Sequence, residues 1–158
     1  LVRRHTEFGM NAGDRIAKLT LGICIASLLA IVLVQAWQVI GRYLLNDSPS
    51  WTEPVALLLM NTTMACAAAL GVRSDAHFRF SLLSERLSPV AQRALNVLSI
   101  AIAVGLGLLL AYGAAVLAWA DRDVPMAGTF LPEGVRYLPL VLGGALIAGF
   151  ALERGISR

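Results

Sequence analysis

Residues 19–41, LTLGICIASLLAIVLVQAWQVIG, run for 23 positions without a charged side chain. A helix this apolar has no solvated face, so it belongs in a protein core or in lipid. Its length decides between them, because about 20 apolar residues cross the hydrocarbon of a bilayer. Three more uncharged stretches follow between charged flanks: 19 residues at 54–72, 27 at 94–120 and 16 at 137–152. The first three are long enough to span. The last is short and needs Arg136 to snorkel and Tyr137 to sit at the interface. The sequence thus predicts an all-α integral membrane protein of four transmembrane helices, forming one membrane domain over residues 1–158. The expected spans are residues 19–43, 52–72, 89–120 and 135–153. The first is read as a retained helix, since 23 residues exceed the roughly 7–15 of a signal-peptide core.

Composition agrees with lipid. Hydrophobic residues make up 58% of the 158 positions and charged residues 15%, where about 25% charged is usual in soluble domains. This excludes a disordered chain, a disulfide-rich module and an ordinary cytosolic enzyme. The net charge is +3, but no basic run is interleaved with aromatics, so nucleic acid is not an expected partner. Cys24 and Cys66 lie inside apolar stretches and read as small packing residues. The two histidines, His5 and His77, fall outside the spans, which argues against a haem-binding bundle.

Lys and Arg set the orientation. Four lie before the first span (Arg3, Arg4, Arg15, Lys18), four in the second connection (Arg73, Arg79, Arg86, Arg93) and two at the C-terminus (Arg154, Arg158). Only Arg42, Arg122 and Arg136 fall on the other side. Both termini and the second connection are therefore expected in the cytoplasm, and the first and third connections outside. The outer connections hold five acids against three arginines. Asp47, Asp121, Asp123 and Glu133 make that face acidic, and it can steer a partner.

Helix starts are legible in the connections. Ser50-Trp51-Thr52-Glu53 fits a capping box with Ser50 as N-cap. Alternatively Thr52 is the N-cap and Pro54 falls in the first turn. Either way Glu53 lies at the positive end of its helix. Ser88-Pro89 reads as N-cap and first helical residue of the third span. Residues 78–87 mix apolar and charged side chains and read as a segment lying along the cytoplasmic interface.

No Asp, Glu, Lys, Arg or His interrupts the four stretches. Intramembrane ionisable residues mark ion paths and proton relays, so a self-sufficient proton-coupled carrier is disfavoured. The polar residues present are Gln35 and Gln38, Asn61, Thr62 and Thr63, and Asn96 and Ser99. Interhelical hydrogen bonding is the favoured reading, and a polar pore lining the alternative. Small residues recur at packing spacing in Ala67/Gly71, Ala101/Gly105 and Ala145/Gly149 and suit close helix approach, within the chain or to a partner.

Gly41-Arg42-Tyr43-Leu44-Leu45-Asn46, then Ser50-Trp51-Thr52-Glu53, then Ala69-Leu70-Gly71-Val72-Arg73 and Ala76-His77-Phe78-Arg79-Phe80 form a combination. It resembles the small, DctQ-type membrane subunit of the tripartite ATP-independent periplasmic (TRAP) transporters. That family closes its first helix with Arg-Tyr, opens its second with Trp-x-Glu-Glu and follows it with Ala-His-hydrophobic-Arg. The first Glu of the motif maps onto Glu53; the second is Pro54 here, so no role of that second carboxylate carries over.

The resemblance implies a bacterial inner-membrane component with no substrate site, cofactor or catalytic activity of its own. A large multi-span membrane subunit would carry substrate and sodium by an elevator-like motion, with sodium held there. A soluble periplasmic protein would deliver an organic acid. This chain would pack on the large subunit and contact membrane lipid. Arg42, Tyr43, Trp51, Glu53, Gly71, His77 and Arg79 are the expected structural or interface residues. Glu53 caps its helix or pairs with Arg42, the cap being favoured. Trp51 is expected to anchor at the outer interface, or else to contact the periplasmic protein. His77 and Arg79 fix the interfacial segment, hold lipid phosphate or meet the large subunit. The alternative function is an autonomous homo-oligomeric carrier or channel.

Overall fold

A computed structural model describes residues 12–47, 49–74 and 89–156. Four long α-helices carry the chain: α1 (Ala12–Tyr43), α2 (Thr52–Arg73), α3 (Pro89–Ala120) and α4 (Leu138–Ile156), with a 3₁₀ turn at Glu133–Tyr137 leading into α4. No strand occurs among the described residues. All four helical segments are long and apolar enough to cross a membrane. The 3₁₀ turn lengthens the shortest segment into a candidate span of 21 residues over Glu133–Glu153. At 1.5 Å per residue, the 32 residues of α1 and of α3 extend about 48 Å, more than the roughly 30 Å of hydrocarbon. Both helices therefore tilt or project beyond it.

The helices pack in the order α1, α2, α4, α3. α2 and α4 are parallel and form the centre; α1 runs antiparallel along α2, and α3 antiparallel along α4. One end of the bundle holds the first and third connections, here termed the connection end. The other holds the start of α1, Arg73 and the end of α4.

Lipid supplies no hydrophobic drive for helix association, so close approach must do the work. Adjacent glycines in α4 serve both neighbours. Gly143 sits directly on Ala65 of α2. Gly144 faces α3, where a β-carbon on it would stand 2.5 Å from Gly107 O and 2.7 Å from Ala111 N. Reciprocally, a β-carbon on Gly107 would stand 2.8 Å from Gly144 O. The apolar core lies nearer the opposite end, in Ala69 and Val72 of α2, Ala103 of α3, and Ile147, Phe150 and Ala151 of α4.

α1 meets α2 along one stripe. Its covered positions, Ala17, Thr20, Cys24, Ser27, Ile31, Val34 and Gln38, alternate by three and four residues. That is the periodicity of left-handed helix pairing, and most of these side chains are small. Cys24 Sγ–H lies 3.8 Å from Thr63 O across the seam. Thr20, Thr62 and Thr63 return their hydroxyls to the carbonyls of Ile16, Leu58 and Leu59 in their own helices.

The repeats read from sequence play a different part. Gly105 and Gly149 have nothing within 4 Å of where a side chain would begin. Ala67, Ala101 and Ala145 are also exposed, and Gly71 is partly covered. Ala101/Gly105 and Ala145/Gly149 face away from the chain's own helices. Internal contacts fall instead on Gly107, Gly143 and Gly144. Gln35 and Gln38 also divide: Gln38 is half-buried in the α1–α2 seam, whereas Gln35 is exposed.

This packing gives opposite expectations for two neighbouring glycines. Gly107→Ala should destabilise the detergent-solubilised chain by about 1–3 kcal/mol through overpacking. Gly105→Ala should be neutral or stabilising by up to about 1 kcal/mol, from helix propensity alone. Denaturant titration followed by circular dichroism distinguishes them, and equal effects would contradict the α3–α4 crossing.

Candidate functional site

The motif residues gather at the connection end. α1 closes with Arg42 and Tyr43, both exposed. Asn46 then takes a left-handed conformation (φ 52°), which asparagine tolerates better than most side chains. The Asp47 N–H donates back to Gly41 O at 3.0 Å. The chain thus reverses within a few residues and enters α2.

The Ser50 capping box does not form. α2 begins at Thr52, preceded by Trp51 in a helical conformation with no side-chain cap. Thr52 is fully buried, and its hydroxyl donates to Pro49 O at 2.8 Å instead of capping an amide. Pro54 is the third helical residue, where its missing N–H costs little. The backbone and hydroxyl of Ser50 lie against Gly128 of the third connection. Glu53 is exposed and makes neither a cap nor an ion pair with Arg42 among the described residues. It remains in the first turn of α2, where a carboxylate complements the helix dipole.

The third connection folds across this end as a short hairpin-like loop. Met126 N–H donates to Leu131 O at 2.9 Å and Glu133 N–H to Val124 O at 2.8 Å. Met126 is buried. At the tip, Gly128 has φ +68°, and a β-carbon there would stand 2.6 Å from Trp51 N. Both the conformation and the contact call for glycine. Behind the loop, Asn61 of α2 donates its amide to Arg136 O at 3.1 Å. Arg136 in turn pairs with Glu133 at 3.1 Å and donates to Tyr137 Oη at 3.1 Å. The Trp51-Thr52-Glu53 start of α2 is therefore clasped between its own reversal and the opposite loop.

A second cluster closes the other end. Arg73 ends α2, donates to Gly13 O, pairs with Asp14 at 2.6 Å and lies over the Phe150 ring, 5.3 Å from its centroid. One side chain thus joins α1, α2 and α4. The ion pair is partly exposed, so its own contribution is about 1 kcal/mol or less. The Glu153 carboxylate packs against Gly13 beside it. Gly71 lies one turn from this cluster and accepts from Ser74 Oγ at 3.3 Å. His77, Arg79, Ser88 and the segment 78–87 lie outside the described residues.

Sequence reasoning placed Arg73 only as a topological charge and missed its pairing with Asp14, which is 59 positions away. Gly128 had no role assigned; the signal available was a glycine between Pro125 and Pro132 in a short loop. No group of three or more potential metal ligands occurs among the described residues.

The contacts around Gly128 and Asn61 and within the loop fix the shape of the connection end. It carries exposed aromatic and acidic side chains on a braced loop, set on four helices that can cross a membrane. That defines the class: a small multi-pass membrane protein. Residues 31–158 match the DctQ component of the tripartite ATP-independent periplasmic transporters, and the chain belongs to that family. It is also similar to the sialic acid TRAP transporter small permease protein SiaQ of Vibrio cholerae serotype O1. The two are 25% identical over 125 residues, covering 69% of this chain and 72% of that protein. The chain is thus a small permease component of a transporter, as its motifs led one to expect, and the family is not one of enzymes.

Replacing Gly128 tests the clasp. Gly128→Ala meets both the strained φ and the contact with Trp51, and should destabilise the chain by about 1–3 kcal/mol. Trp51 fluorescence, measured with Trp37 and Trp119 replaced by Phe, should shift to the red. An unchanged spectrum and unfolding midpoint would contradict the contact.

Proposed function

We propose that this chain is a scaffold subunit, fixed in the bacterial inner membrane with both termini in the cytoplasm. It supports a larger membrane subunit that moves an organic acid together with sodium. One observation carries the reading. The small-residue pairs Ala101/Gly105 on α3 and Ala145/Gly149 on α4 point away from the chain's own helices. Such pairs let the backbone of a partner helix approach closely. The spans also carry no acid or base in their interiors, which supports placing the substrate and sodium sites in the partner. The Lys and Arg distribution supports the orientation, which puts the connection end in the periplasm. There its acidic residues and Trp51 form a face on which a periplasmic binding protein can dock. SiaQ carries sialic acid in its name, and a carboxylated substrate is the class we propose here. On this reading the chain acts as one unit without catalytic activity or cofactor of its own.

Two substitutions test the reading. Ala145→Leu with Gly149→Leu fills open space, so the isolated chain should keep its stability while co-purification of the large subunit falls at least about tenfold. Retained co-purification would contradict this face as the contact. In a sodium-driven uptake assay, Glu53→Gln should lower transport more than Asp47→Asn, because only Glu53 stands at the start of a clasped helix. Equal behaviour of the two would remove any special role for Glu53.

A further inference from the structure

On the same side of α3 as Ala101 and Gly105, but nearer the connection end, lies a stripe of larger side chains that the scaffold reading leaves unassigned. Tyr112, Val116 and Trp119 follow one another at helical spacing and are 72%, 48% and 71% exposed. They form one apolar stripe on the side of α3 away from α4, rising to the connection end. Just beyond it, the Arg122 guanidinium lies over the Trp119 ring, 4.0 Å from the centroid. Arg122 Nε donates to Asp123 Oδ2 at 3.2 Å. Its two terminal nitrogens have no partner among the described residues. This ion pair forms one edge of an open depression of about 410 Å³, whose wall includes Val124, Phe130 and Leu131. The wall is braced by the Met126–Leu131 and Glu133–Val124 hydrogen bonds, so the depression exists before any ligand arrives.

We propose that this depression holds the headgroup of a zwitterionic aminophospholipid from the leaflet at the connection end. The phosphate takes the terminal nitrogens of Arg122, the ammonium takes the carboxylate of Asp123, and an acyl chain lies along Trp119, Val116 and Tyr112. Charge complementarity selects this ligand. A cation and an anion stand side by side, which matches a headgroup carrying phosphate and amine two carbons apart. A purely anionic headgroup would meet Asp123 at close range and be repelled. A quaternary ammonium has no N–H to donate to Asp123, so a primary amine is preferred over choline. Stacking on Trp119 holds the guanidinium plane and aims its free edge outward. The position also fits, since tryptophan and arginine gather where hydrocarbon meets headgroups. The stripe below Arg122 is continuous with the apolar face of the helix, which a free phosphate ion would leave unused.

Native mass spectrometry of the full chain, released from micelles doped with phosphatidylethanolamine, phosphatidylcholine or phosphatidylglycerol of equal chain length, tests the proposal. One phosphatidylethanolamine per chain should be retained about tenfold more strongly than either of the others. Arg122→Gln should lower that retention about tenfold. Asp123→Asn leaves the stacking in place and should abolish the preference for phosphatidylethanolamine over phosphatidylglycerol. Circular dichroism reports whether each variant is folded. If Arg122→Gln is not, Asp123→Asn decides alone, and unchanged discrimination overturns the proposal. Soluble phosphoethanolamine at the same concentration should not displace the lipid; displacement would show a headgroup-only site and overturn the acyl contact. Equal retention of all three lipids, indifferent to both variants, would show annular lipid only and overturn the site.

Discussion

Two adjacent glycines in α4 hold the bundle together. Gly143 admits the backbone of α2, and Gly144 admits that of α3 at Gly107. In water, burial of apolar surface would drive such packing at about 25 cal/mol per Å². In lipid that term is absent between helices, and dispersion over short distances replaces it. A bulkier residue at either position would push one neighbour away. The pairing of α2 with α4, the attachment of α3 and the core around Phe150 all depend on this approach. α1 is less demanding: it leans chiefly on α2, through a seam of small side chains, and Arg73 and Glu153 tie its start to α2 and α4.

The connection end follows from the same arrangement. Because α2 and α4 run parallel, the start of α2 lies beside the lead-in to α4. Asn61 can then reach Arg136 O, and Gly128 can rest on Ser50 and Trp51. Part of the loop's backbone is satisfied internally, through the Met126–Leu131 and Glu133–Val124 hydrogen bonds. The exposed side chains of this end, among them Tyr43, Glu53 and Phe130, are left for contacts beyond the chain. The small residues Ala101, Gly105, Ala145 and Gly149 are exposed on the outer faces of α3 and α4.

The helices were legible because uncharged runs of sufficient length have one stable solution in a bilayer. The motif around Trp51 and Glu53 was legible as a helix start, but its chemistry was not. Ser50 had the right spacing for a capping box, yet the third connection, more than 70 residues later, occupies its side chain. Small-residue spacing could not tell which pairs face inward, because Ala101/Gly105 and the true contact Gly107 differ only by their position around the helix. Arg73 and Asp14 show the same limit. Each reads locally as a flanking charge, and only the antiparallel pairing of α1 with α2 brings them together.

The proposed role of this chain is to support another membrane protein. Affinity purification of the tagged chain from its native membrane in mild detergent, followed by mass analysis of what accompanies it, tests this most directly. A stoichiometric, much larger, many-span membrane protein is the expected companion. A clean homo-oligomer, recovered from cells with the neighbouring genes intact, would contradict it. It would turn attention to Gln35, Gln38 and Asn61 as the lining of a path of the chain's own.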